Sequence, residues 1–95
     1  MKKLKINKSN WSGEEGTVKI YANGDIEVLG ERFRVEVEEN EVLGKVAQVY
    51  TKDGFNIAKA FEIGSYFEAY DDSYTISRED EDMHTAIAKV LFNLI

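Results

Sequence analysis

The sequence predicts an α+β chain: a curved antiparallel sheet of about six or seven strands packed around one C-terminal helix. Two observations lead to this. Met83, Ala86, Ile87, Val90, Leu91 and Leu94 share one face of a helix over 79–95, and Ala88, Phe92 and Ile95 widen that face. Only Thr85, Lys89 and Asn93 draw a thin polar stripe down it. A helix so nearly apolar has to be enclosed, and the segments before it alternate apolar and polar residues as strands do.

The elements follow in order, in one domain of 95 residues. Leu4 and Ile6 alternate with lysines in a basic N-terminal strand, 3–8, followed by a loop that carries Trp11. Residues 17–38 contain the clearest hairpin. A three-residue turn over Ala22-Asn23-Gly24, with Gly24 left-handed, sets Ile20 against Ile26, Val18 against Val28, and Lys19 against Glu27. A two-residue Asn-Gly turn would set Ile20 against Glu27, so the pattern selects the longer turn. At Gly30 the apolar positions switch from even to odd, leading to Phe33, Val35 and Val37, which predicts a bulge or tight corner there.

Residues 40–52 fit two readings. Val42, Leu43, Val46, Ala47, Val49 and Tyr50 also lie on a helical face, but Gly44 is costly inside a helix and the valines suit a pleated surface. The strand reading gives a hairpin over 45–63 turning at Lys52-Asp53-Gly54, with Val49 opposite Ile57. A last hairpin spans 65–77 and turns at Asp71-Asp72. Phe67, Ala69, Tyr74 and Ile76 then face the core, while Tyr66, Glu68 and Tyr70 face outward. Ser77 and Asp80 match a helix-capping pair, and Glu79 to Asp82 place four carboxylates on the positive end of the helix dipole.

Composition narrows the function classes. The chain has no cysteine, which excludes disulfides, thiolate zinc sites and cysteine nucleophiles. The lysines at the start are followed by no apolar stretch, so the expectation is a cytoplasmic protein without a signal peptide or membrane span. Net charge is −6 and uneven. Residues 1–34 carry seven Lys/Arg against five Asp/Glu, and residues 35–95 carry five against thirteen. That surplus disfavours duplex nucleic acid as the main partner. Nine lysines to three arginines and no proline fit an AT-rich bacterial or phage genome.

Catalytic signatures are missing. There is no phosphate loop, dinucleotide fingerprint or nucleophile elbow, and the single histidine, His84, has no nucleophile motif beside it. The contiguous acids Asp80-Glu81-Asp82 lack the alternating spacing and sharp-turn glycine of a calcium loop. The expectation is no enzyme, no cofactor and no metal.

What stands out is aromatic. Five of the eleven aromatic residues, among them Tyr66 and Tyr70, fall within fourteen positions. Outward tyrosines beside Glu68, Asp71 and Asp72 suit a protein-binding face, because tyrosine gives rigid contact area with a polar tip. Trp11 is a second candidate anchor. The first strand, left at a sheet edge, is a possible route to a homodimer.

From Tyr50 onward the order of features resembles the C-terminal half of the tubby-like fold, in its LURP-one-related branch. The matching features are Tyr50, Asp53-Gly54, Ile57-Ala58, Asp72-Ser73-Tyr74-Thr75-Ile76, Glu81-Asp82 and the apolar segment Ala86 to Ile95. The resemblance implies a helix threading an antiparallel barrel and a binding or scaffold role, such as holding a small molecule or lipid. It implies no site residues. The residues themselves lead to a small non-catalytic protein-binding protein, an inhibitor or adaptor, whose acidic surface engages a basic site on its partner.

Overall fold

The structure, a computed structural model, describes residues 2–6 and 16–94. Among them eight strands run as an antiparallel meander, each paired with its neighbour in sequence. They are β1 (Lys2–Ile6), β2 (Gly16–Ile20), β3 (Ile26–Val28), β4 (Glu31–Asn40), β5 (Gly44–Tyr50), β6 (Asn56–Ile63), β7 (Tyr66–Asp71) and β8 (Ser77–Asp80), followed by helix α1 (Met83–Leu94). The sheet curls around the helix, which lies against β6, β7 and β8 and also reaches β3. No helix among the described residues is long and apolar enough to cross a membrane.

Turn chemistry sets the register. The β2–β3 turn closes with Tyr21 N–H donating to Asp25 C=O at 2.8 Å and Gly24 N–H to Tyr21 C=O at 2.9 Å. Gly24 has φ 94°. Val18, Lys19 and Ile20 face Val28, Glu27 and Ile26, the pairing that the sequence predicts. At the parity switch the tight corner is a two-residue turn in which Leu29 (φ 50°) and Gly30 (φ 86°) are both left-handed. An even-numbered loop puts Ile26 opposite Phe33, so the inward set passes from even to odd positions.

Residues 44–50 form a strand, with Val46, Ala47 and Val49 buried. A bulge between Val49 and Tyr50 shifts the pairing, so Val49 faces Ala58 instead of Ile57. The core is filled by Val18, Ile26, Val28 and Val49 from the sheet and Ile87, Val90 and Leu91 from the helix, all fully buried. Ala47, Ala58, Ala60 and Ala69 line the inner face where α1 crosses, and such small side chains let the helix backbone approach the sheet closely.

The helix starts later than the sequence predicts. Ser77–Asp80 is an edge strand, with Phe67 opposite Asp80 and Tyr70 opposite Ser77, and it is one strand more than expected. A ladder offered along β7 satisfies more backbone groups than an extra helical turn with a single cap. Asp82 does the capping instead. Its Oδ2 accepts from the Thr85 N–H and from Thr85 Oγ1, each at 2.9 Å. Lys89, in the polar stripe, lies 3.1 Å from Asp80 Oδ2, so the one polar side of the helix meets the β8 edge. Asn93 Nδ2 donates to the Lys89 C=O at 2.9 Å further along the same stripe.

Candidate protein-binding face

Strand alternation along β7 turns Phe67, Ala69 and Asp71 toward the helix and Tyr66, Glu68 and Tyr70 to the outer face. The neighbouring strands bring Lys59 opposite Tyr70, Phe61 opposite Glu68 and Glu79 opposite Glu68. Phe61 and Tyr70 form a tilted ring pair with centroids 6.2 Å apart. Tyr70 and Tyr74 follow at 5.4 Å, and Lys59 Nζ sits 5.1 Å above the Tyr74 ring. The outcome is an aromatic band running from β6 across β7 to the β7–β8 turn, edged by two carboxylates.

Those carboxylates define the electrostatics. Glu68 and Glu79 face each other directly across β7 and β8, a like-charge pairing that costs stability unless a cation relieves it. Tyr70 donates its hydroxyl hydrogen to Glu68, and this bond, with burial, pushes its pKa up to about 12. Burial, then the negative charges of Glu68 and Glu79, also raises that of Tyr66. Both phenols stay protonated at neutral pH, with the Tyr70 hydrogen directed into the acidic notch.

Tyr66, Glu68 and Tyr70 therefore share the outer face of β7, and Asp72 is exposed in the turn that follows. Asp71 does not belong with them. It points inward and is only 3% exposed. Its Oδ1 accepts from the Ile76 N–H at 2.8 Å, and its Oδ2 from Ser73 Oγ at 2.7 Å and Thr75 Oγ1 at 2.8 Å. Burial pushes this carboxyl up, but the bonds from Ile76, Ser73 and Thr75 outweigh it and hold the pKa down to about 2. Asp71 is the internal staple of the turn, so the chain bends after it, not on it. The same longer turn moves Tyr74 out of the core, where strict alternation places it, to 57% exposure at φ 60°. Trp11 lies outside the described residues.

The sequence reading missed Lys59, Phe61 and Glu79 as members of this face. Phe61 and Lys59 alternate on β6, but only the β6–β7 register shows which β7 residues they meet. The capping pattern puts Glu79 at the helix start, which conceals its place opposite Glu68.

Two other features are distinct from this face. A surface cleft of about 720 Å³ lies between β4 and the β5–β6 turn, lined by Arg32, Phe33, Arg34, Lys52 and Phe55 among others. Both arginines there are already engaged. Arg32 bonds Asp25 at 3.2 Å and stacks 3.8 Å from the Tyr21 ring centroid, while Arg34 pairs with Glu36 at 3.1 Å and lies 4.6 Å from the Tyr50 ring centroid. Half-buried His84 places Nε2 under the β2–β3 turn, 3.6 Å from where a Cβ on Gly24 would sit, and this nitrogen has no hydrogen-bond partner among the described residues.

Comparison with protein-family models, curated proteins and solved structures finds no match for this chain.

Proposed function

We propose that this chain is a small non-catalytic protein-binding protein, an inhibitor or adaptor of bacterial or phage origin that acts in the cytoplasm. Its contact is the outer face of β6–β8. The observation that carries this reading is the Glu68–Glu79 juxtaposition, flanked by Tyr66 and Tyr70. An arginine or lysine from a partner placed between the two carboxylates relieves their repulsion and stacks on a phenol ring at the same time. Aromatic residues around a charged centre are also what binding hot spots are made of.

The test uses three variants on this face: Glu68→Lys, Tyr70→Ala and Asp72→Lys. Circular dichroism verifies that each is folded before capture from the native host. The wild type is expected to retain a basic protein that Glu68→Lys and Tyr70→Ala lose, with Asp72→Lys weaker in effect. Equal capture by all folded variants would remove the contact from this face.

A further inference from the structure

Among the described residues, the far half of β4 has a strand on one side only. β3 pairs with β4 at Glu31–Phe33 and stops, whereas β5 pairs with it from Arg34 to Asn40. In an antiparallel ladder the backbone groups of successive residues point to opposite sides. Thr51 N–H donates to Phe55 C=O in the β5–β6 turn, so Tyr50 directs its own groups to β4 and bonds Arg34. Glu36, Glu38 and Asn40 then also bond β5. The N–H and C=O of Val37 and Glu39 point away from it, with no strand on that side among the described residues.

This edge belongs to a protruding arm. Every residue from Glu36 to Leu43 is exposed, including inward-facing Val37 at 47% and the tip residues Val42 at 88% and Leu43 at 54%. The arm is nevertheless held in shape. Asn40 Oδ1 accepts from the Val42 N–H at 2.8 Å and the Leu43 N–H at 2.9 Å, and Lys45 N–H donates to Glu62 Oε1 at 3.0 Å. Four carboxylates, Glu36, Glu38, Glu39 and Glu41, stand on it. Glu36 pairs with Arg34, and the other three have no ion-pair partner among the described residues. Acidic side chains guard the edge against a second acidic chain. They select a basic strand instead.

We infer that the free edge of β4 over Glu36–Asn40 is a docking site for an extended basic segment of a partner protein, which adds to the sheet as one more strand. Its main chain bonds the free groups of Val37 and Glu39. Its basic side chains lie on the outer face beside Glu36 and Glu38, and the apolar residues between them cover Val37. This surface is separate from the β6–β8 face and does not depend on it.

The test is titration of the full chain with a nine-residue peptide of alternating lysine and valine, followed by backbone amide NMR. Expected are shifts and exchange protection at Val37 and Glu39, and weaker binding as salt rises. Val37→Pro removes only the free N–H and leaves the β5 ladder in place, so it should fold and bind at least ~10-fold more weakly. Glu36→Lys with Glu38→Lys should do the same while Asp53→Lys, an exposed acid in the β5–β6 turn at the other end of β5, changes nothing. Three outcomes overturn the inference: equal binding of a block peptide with the lysines and valines separated, equal binding of alternating glutamate and valine, or β4 amides protected by dimerisation of the chain without peptide.

Discussion

Three of the hairpin turns begin alike and end differently. In each of the turns at Tyr21–Asp25 and Thr51–Phe55, the fourth residue is a left-handed glycine, Gly24 or Gly54, whose N–H bonds back to the first. In the turn starting at Asp71 the same bond runs from Tyr74 to Asp71 at 3.1 Å, with a tyrosine at φ 60°. A left-handed residue with a Cβ costs about 1–2 kcal/mol. Here the buried Asp71 carboxylate supplies what glycine supplies elsewhere, gathering three donors so that the chain has no cheaper path. The strained turn also holds the Tyr74 ring on the outer face, next to Tyr70. The comparison teaches that two turns only reverse the chain, while the third also presents a side chain.

The largest expected effect breaks that third turn. Asp71→Ala leaves the Ile76 N–H and two hydroxyls without their acceptor and should destabilise by about 2–4 kcal/mol in urea unfolding. A loss below ~1 kcal/mol would mean that the carboxylate does not hold the turn. Acid titration makes the same point without a mutation. The folded pKa of Asp71 lies below its unfolded value, so its contribution is complete at neutral pH. It drains away as pH falls from about 4 toward about 2. In Asp71→Asn the melting temperature should fall less over that window; an unchanged slope would assign acid sensitivity to other carboxylates.

Glycine turns should respond next. Gly54→Ala has open space around its Cβ but keeps φ 92°, and Gly24→Ala keeps φ 94° with only an ordinary contact to His84. Each should cost about 1–2 kcal/mol, measured the same way, and no cost would mean that the backbone flips to another turn type. The smallest effect is expected at Tyr74→Gly. Relief of the left-handed strain offsets the lost contacts with Tyr70 and Lys59, leaving a net change within ~1 kcal/mol. A much larger loss would make Tyr74 a structural strut and not a presented ring.

Much of this was legible in residue order because the determinants are local. The β2–β3 register followed from turn length and apolar parity, and the strand at Gly44–Tyr50 from a glycine and two valines. The outward setting of Tyr66, Glu68 and Tyr70 followed from the two-residue period alone. The start of the helix was not legible. Ser77 to Asp82 holds competent capping residues in two registers, and only the open edge of β7 decides that the first four continue the sheet. Asp71 misled for a related reason, since an aspartate at a hairpin tip looks solvated until the chain folds hydroxyls over it.

By itself the sequence determined that an apolar helix must be enclosed, that antiparallel strands do it, and that Tyr66, Glu68 and Tyr70 turn away from it. Those outcomes depend on periodicity and turn chemistry, which act over a few residues. Tertiary structure decided which acid meets which. Setting Glu68 against Glu79, burying Asp71 and leaving half of β4 with a strand on one side only among the described residues each depend on where one strand stops beside another. Strand ends are set by competition for backbone partners between segments far apart in the chain.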